Sequence, residues 1–79
     1  MFSVYILYSE ITQKYYTGQT QNFENRIIEH NAGETKSIKN GIPWKVIWTA
    51  ELQTRKEAVT LEKKIKMYDA KRFLTLQAR

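Results

Sequence analysis

Five residues of this chain carry side chains suited to moving protons and handling a phosphate. Tyr5 stands between Val4 and Ile6, and Tyr16 opens the run Tyr16-Thr17-Gly18. Arg26 and His30 are four apart, and Glu62 lies in a stretch otherwise rich in lysine. Arginine can pair with a phosphate through two parallel hydrogen bonds. Histidine is the side chain most easily poised for proton transfer near neutral pH. One carboxylate with several waters suits Mg²⁺, which dehydrates reluctantly and is seldom caged by protein alone. Together these are the parts of a metal-dependent phosphodiesterase. Each also has an ordinary explanation. Tyrosines stabilise half-buried strands, an arginine can snorkel, a lone histidine is often a core residue with one hydrogen bond, and Glu62 could form a salt bridge, for instance to Arg26. With no cysteine and no serine elbow motif, a nucleophilic triad is disfavoured.

The elements that must position these residues can be read from periodicity. Residues 2–9 alternate, with Phe2, Val4, Ile6 and Tyr8 on one face and Ser3, Tyr5, Leu7 and Ser9 on the other, which predicts a strand. Residues 14–20 form a second candidate strand, joined to the first through a loop at Glu10–Gln13 that lacks a strong turn signal. That loop sets Ser9 against Lys14 and Leu7 against Tyr16, so Tyr5 and Tyr16 share a face; a slip of one residue would separate them. Gly18 within a strand suggests that something approaches its backbone closely.

Asn22 is a good N-cap for a helix ending near Ala32, with Gly33 as its stop. Phe23 and Ile27 mark its buried side, and Arg26 and His30 fall near that side, facing the body of the protein. A loop follows from Gly33 to Pro43, then a third strand over 44–52, with Val46, Trp48 and Ala50 opposite Lys45, Ile47, Thr49 and Glu51. Thr54 caps a second helix with Glu57 at the capping-box position. Its apolar stripe is Ala58, Leu61, Ile65 and Tyr68, and Glu62 sits at the stripe's edge, where a carboxylate is costly unless paired or bound to a metal. A final short element spans 71–77. All five candidate residues are expected on one concave surface.

Composition bounds the rest. The 79 residues suffice for a single domain over 1–79, and 42% hydrophobic content is too apolar for disorder. Met1–Leu7 is apolar but has no basic region before it, and no stretch approaches the roughly 20 apolar residues of a spanning helix. The expectation is a cytoplasmic protein that does not enter a membrane. The net charge of +5 is uneven: residues 1–54 are balanced, and residues 55–79 carry the whole excess. Such a basic patch attracts polyanions, most simply nucleic acid. The candidate contacts are Lys36 and Lys39 in the loop, Lys63, Lys64 and Lys66 in the second helix, and Lys71 and Arg72 beyond it.

Taken in order, these positions resemble the GIY-YIG nuclease family, and most closely its small stand-alone bacterial members. Ser3-Val4-Tyr5 stands where the first motif would be, and Tyr16-Thr17-Gly18 where the second would be. The step from Gly18 to Arg26, the stretch His30-Asn31-Ala-Gly33, and Pro43-Trp44 at the opening of the third strand fit the same pattern. Ser3 replaces the first glycine, Thr17 replaces isoleucine, and Gln19 stands where several family members place a lysine.

The resemblance implies an α/β (α+β) sandwich, a three-stranded antiparallel sheet flanked by helices in the order β-β-α-β-α-(α). It also implies phosphodiester hydrolysis with one divalent metal, Mg²⁺ or Mn²⁺, acting on nucleic acid, DNA first, in repair or recombination, with room for a protein partner that targets the domain. Carried over, Tyr5 and His30 help activate the attacking water, Tyr16 and Arg26 position and neutralise the phosphate, and Glu62 holds the metal. The alternative is a basic module on the same fold that grips nucleic acid without cutting it.

Overall fold

The computed structural model describes residues 1–77. Its elements are β1 (Phe2–Ser9), β2 (Lys14–Thr20), α1 (Phe23–Asn31), a 3₁₀ helix (Lys36–Gly41), β3 (Trp44–Leu52), α2 (Arg55–Tyr68) and α3 (Ala70–Gln77). The three strands form one antiparallel sheet in the order β2-β1-β3, flanked by helices as the resemblance implied. β1 is therefore central, with a strand on each side and helices over both faces. That explains why Val4, Tyr5, Ile6 and Leu7 are all buried even though they alternate in direction.

The two faces hold two separate cores. Val4 and Ile6 pack with Ala58 and Ile65 of α2 and with Ala70 and Phe73 of α3. Tyr5 and Leu7 pack with Ile38 and Trp44, edged by Tyr16, Phe23, Ile27 and Ile42. Burying each aliphatic side chain in such a layer contributes about 1.5–3 kcal/mol.

The hairpin register is the one the loop length predicts, with Ser9 opposite Lys14 and Leu7 opposite Tyr16, so Gly18 falls opposite Tyr5. The turn closes without an Asn-Gly pair because Gln13 takes the left-handed conformation (φ 57°) and the Ser9 hydroxyl accepts the Thr12 N–H at 3.1 Å.

β3 departs from the expected alternation. A bulge between Ile6 and Leu7 makes Trp48 pair with Ile6 but Val46 with Leu7, leaving Ile47 as the extra residue. Val46 and Trp48 therefore do not share a face. Trp44 joins the Tyr5 layer, and Trp48 packs edge-on against Phe73 at 5.0 Å on the other side.

Helix ends follow the cap signals. The Asn22 side chain accepts the Asn25 N–H, Gly33 (φ 83°) ends α1, and Thr54 with Glu57 forms a full capping box at α2. Two expectations change. The segment 33–43 is not a plain loop but contains the 3₁₀ helix. Tyr68 is not part of the buried stripe and is 40% exposed, because the chain turns at Asp69 (φ 62°) and Phe73 of α3 fills the space against the sheet instead. Among the described residues no helix is long and apolar enough to cross a membrane.

Candidate active site

Tyr5 stands at the middle of the central strand, in the layer covered by α1. Its ring meets Phe23 edge-on at 5.8 Å and lies 6.4 Å from Tyr16 and 5.9 Å from His30. Its hydroxyl is hydrogen-bonded to His30 Nε2 at 2.9 Å. The space for that hydroxyl exists because Gly18 lies across from it. A Cβ at Gly18 would sit 2.5 Å from the Tyr5 oxygen. The close approach anticipated at this glycine is thus the phenol of Tyr5.

His30 projects inward from the last turn of α1, and both of its ring nitrogens are engaged: Nε2 with Tyr5, and Nδ1 with Thr35 Oγ1 at 2.8 Å. Tyr16 closes over the imidazole edge-on at 5.3 Å. Burial first, then the Arg26 charge, lowers the His30 pKa below its ordinary value, with Glu29 opposing. Burial first, then Tyr16, pushes the Tyr5 phenol well above its usual range; Arg26 opposes and Glu62 adds to the rise. The pair is therefore neutral at pH 7, a phenol against an imidazole, with charges on both sides of the sheet acting on it.

Of the two remaining candidates, Arg26 is not where the sequence set it, and Glu62 keeps its place at the edge of the α2 apolar stripe. Arg26 does not face the body of the protein. It lies on the flank of α1, because Phe23, Ile27 and His30 occupy the inward side, and it is exposed beside Glu29 at 3.7 Å. There it lines a groove of about 420 Å³ together with Gln19, Asn22 and Arg55.

Glu62 comes from α2, on the opposite side of the sheet from Tyr5. It does not pair with Arg26. Gln19 Nε2 donates to its Oε1 at 3.0 Å, and Lys66 Nζ sits 2.9 Å from its Oε2. Gln19 follows Gly18 on the edge strand β2 and points to the α2 side, so its amide meets Glu62 along that edge. The five residues thus do not share one face. Tyr5, Tyr16 and His30 cluster on the α1 side, Arg26 lies at the rim, and Glu62 reaches the same edge from the α2 side.

The basic residues are also dispersed. Lys66 adjoins Glu62 and lines a groove of about 630 Å³ with Lys14, Tyr15 and Tyr16. Lys63 and Lys64 are exposed on α2, Lys71 and Arg72 line a separate groove on α3, and Lys36 and Lys39 lie on the 3₁₀ helix. Sequence reasoning missed Lys14 and Arg55, which join these grooves only through the fold. It also missed Thr35 and the role of Gln19, both of which touch candidate residues. Asn31 has a structural role: its side chain accepts the Trp44 N–H at 2.7 Å and donates to the Trp44 carbonyl at 3.2 Å, tying the end of α1 to the start of β3.

The family model of the GIY-YIG catalytic domain matches residues 1–72. The chain belongs to the GIY-YIG family. No match was found among curated proteins or among solved structures. GIY-YIG domains are nuclease domains acting on nucleic acid, and they generally use a divalent metal.

Among the described residues no cluster of three His, Cys, Asp or Glu side chains stands ready to cage an ion. The Glu62 carboxylate fits the less demanding alternative, one protein oxygen completed by water and substrate. A positive charge already rests on its Oε2, supplied by Lys66 on a stem that is 58% exposed, while the neutral Gln19 amide steadies Oε1.

Proposed function

We propose that this chain is a metal-dependent endonuclease that hydrolyses phosphodiester bonds in DNA, acting as one domain in the cytoplasm and serving repair or recombination. The observation that carries the proposal is the buried Tyr5–His30 hydrogen bond beneath Gly18, at the sheet edge where Tyr16, Arg26 and Glu62 approach.

In this reading Tyr5 takes a proton from the attacking water as it passes its own to His30 Nε2. No free phenolate is needed, which burial would oppose. The water oxygen bonds to phosphorus as the bond to the leaving oxygen breaks. Tyr16 and Arg26 hold the phosphate and offset the charge that develops on it. The metal, when bound, would stabilise the leaving oxygen, and Glu62 is the residue that would hold it. Lys36, Lys39, Lys63, Lys64, Lys66, Lys71 and Arg72 supply affinity that is independent of base sequence.

A metal-dependent nicking assay comparing the chain with Glu62→Ala tests this. Cleavage in Mg²⁺ or Mn²⁺ by the parent and none by the variant is the expected result. One observation favours a second reading, a binding module that does not cut: both Glu62 oxygens have partners, as in a structural ion pair. DNA binding without cleavage under any divalent metal would select it.

A further inference from the structure

Thr35 stands at the N-cap of the 3₁₀ helix, a position where a threonine hydroxyl ordinarily accepts a backbone N–H. Here it makes no such bond. The turn is closed by backbone alone, with the Ile38 N–H on the Thr35 carbonyl at 3.2 Å, and the hydroxyl is directed to His30 Nδ1 at 2.8 Å. His30 is 1% exposed and so is Tyr5, whereas Thr35 is only half-buried. The three residues form a chain of hydrogen bonds from the centre of the sheet towards the surface.

Such a chain allows two proton arrangements. Either Tyr5 donates to Nε2 and Nδ1–H donates to Thr35, or Thr35 donates to Nδ1 and Nε2–H donates to Tyr5. A phenol is the stronger acid and the better donor, and an aliphatic hydroxyl oxygen is the better acceptor, so the first arrangement is favoured.

We propose that Thr35 is a positioning residue: its hydroxyl accepts the Nδ1–H of His30 and so holds the tautomer whose Nε2 lone pair faces the Tyr5 hydroxyl. The consequence for turnover rests on the nuclease reading; the tautomer does not. When Nε2 takes the Tyr5 proton, Nδ1–H remains donated to Thr35, and no other group has to move. A threonine in this place orients the ring without placing a negative charge beside it, as a neutral hydrogen-bonded partner of a functional histidine does.

The test is long-range ¹H–¹⁵N correlation on the His30 imidazole at pH 7, without DNA or metal, for the parent, Thr35→Val and Thr35→Ser. Valine keeps the shape of threonine, and no capping bond is lost. The expected result is protonation at Nδ1 in the parent and in Thr35→Ser, and a shift towards Nε2–H in Thr35→Val. In cleavage, Thr35→Val should lower kcat about tenfold with KM for a duplex oligonucleotide unchanged, and Thr35→Ser should restore the rate. A parent protonated at Nε2, or a Thr35→Val tautomer identical to the parent, overturns the proposal. If no variant cuts DNA, the nuclease reading fails, and the tautomer measurement still decides the role of Thr35.

Discussion

The two sides of the sheet edge handle polar groups in opposite ways. On the α1 side, Tyr5 and His30 are buried, neutral and held by a chain of hydrogen bonds under a glycine that leaves room for a phenol. On the α2 side, the Glu62 carboxylate is partly exposed and held by a neutral amide on one oxygen and an exposed ammonium on the other. Proton transfer benefits from fixed, dry geometry, whereas a site for a cation and a polyanion needs charge and access to water. In the proposed reaction the edge strand β2 serves both, with Gly18 on one side and Gln19, its neighbour, on the other.

Loss of function without loss of stability would separate the two sides most sharply. Glu62→Gln should reduce metal-dependent cleavage by more than about a thousandfold, while urea unfolding shifts by no more than about 0.5 kcal/mol. Tyr5→Phe should also stop cleavage but cost about 1–3 kcal/mol, since it strips a partner from a buried imidazole. Equal stability losses in the two variants would erase the contrast.

At the rim, Arg26→Ala should slow single-turnover cleavage by about a hundredfold with little change in affinity. Neutralising Lys63, Lys64 and Lys66 should do the reverse, weakening binding and flattening its salt dependence at near-normal turnover on saturating DNA. Parent-like cutting by Arg26→Ala would remove that residue from the chemistry.

Gly18→Ala should destabilise the domain by about 1–3 kcal/mol, because the Tyr5 ring is boxed in by Phe23, Tyr16 and His30 and cannot yield. The same substitution on a Tyr5→Leu background, which removes both the hydroxyl and the ring carbon that would lie 2.7 Å from the new Cβ, should cost less, as a double-mutant cycle in denaturant would reveal. A full, undiminished cost in that background would mean the phenol of Tyr5 is not what Gly18 accommodates.

The smallest effect concerns pH. His30 has a folded pKa below its ordinary 6.5, so as the pH falls the unfolded chain takes up that proton first. Its contribution is therefore intact above about pH 6.5 and is lost as the pH falls through the window beneath it, with a slope of at most about 1.4 kcal/mol per pH unit. Denaturant titrations from pH 7 to pH 5 should show this slope in the parent and a flatter one in His30→Gln.

Much of this architecture was legible in the chain itself. Period-two alternation marked β1, the loop length gave the register that puts Tyr5 beside Tyr16, and Asn22, Gly33, Thr54 and Glu57 marked helix ends. These are local properties, settled by neighbouring residues and backbone sterics. The ordered series from Tyr5 to Glu62 carried the family for the same reason: it is a matter of spacing. Tertiary structure decided the rest. The bulge that sends Trp44 and Trp48 to different cores depends on how β3 meets β1. Arg26 turns outward because three apolar or buried neighbours claim the inner side of α1. Glu62 meets Gln19 across 43 positions of chain, and Thr35 reaches His30 from beyond the helix that carries it. A helical wheel or a strand pattern assigns a residue to a face, but which groups meet that face is set by packing between elements distant in sequence.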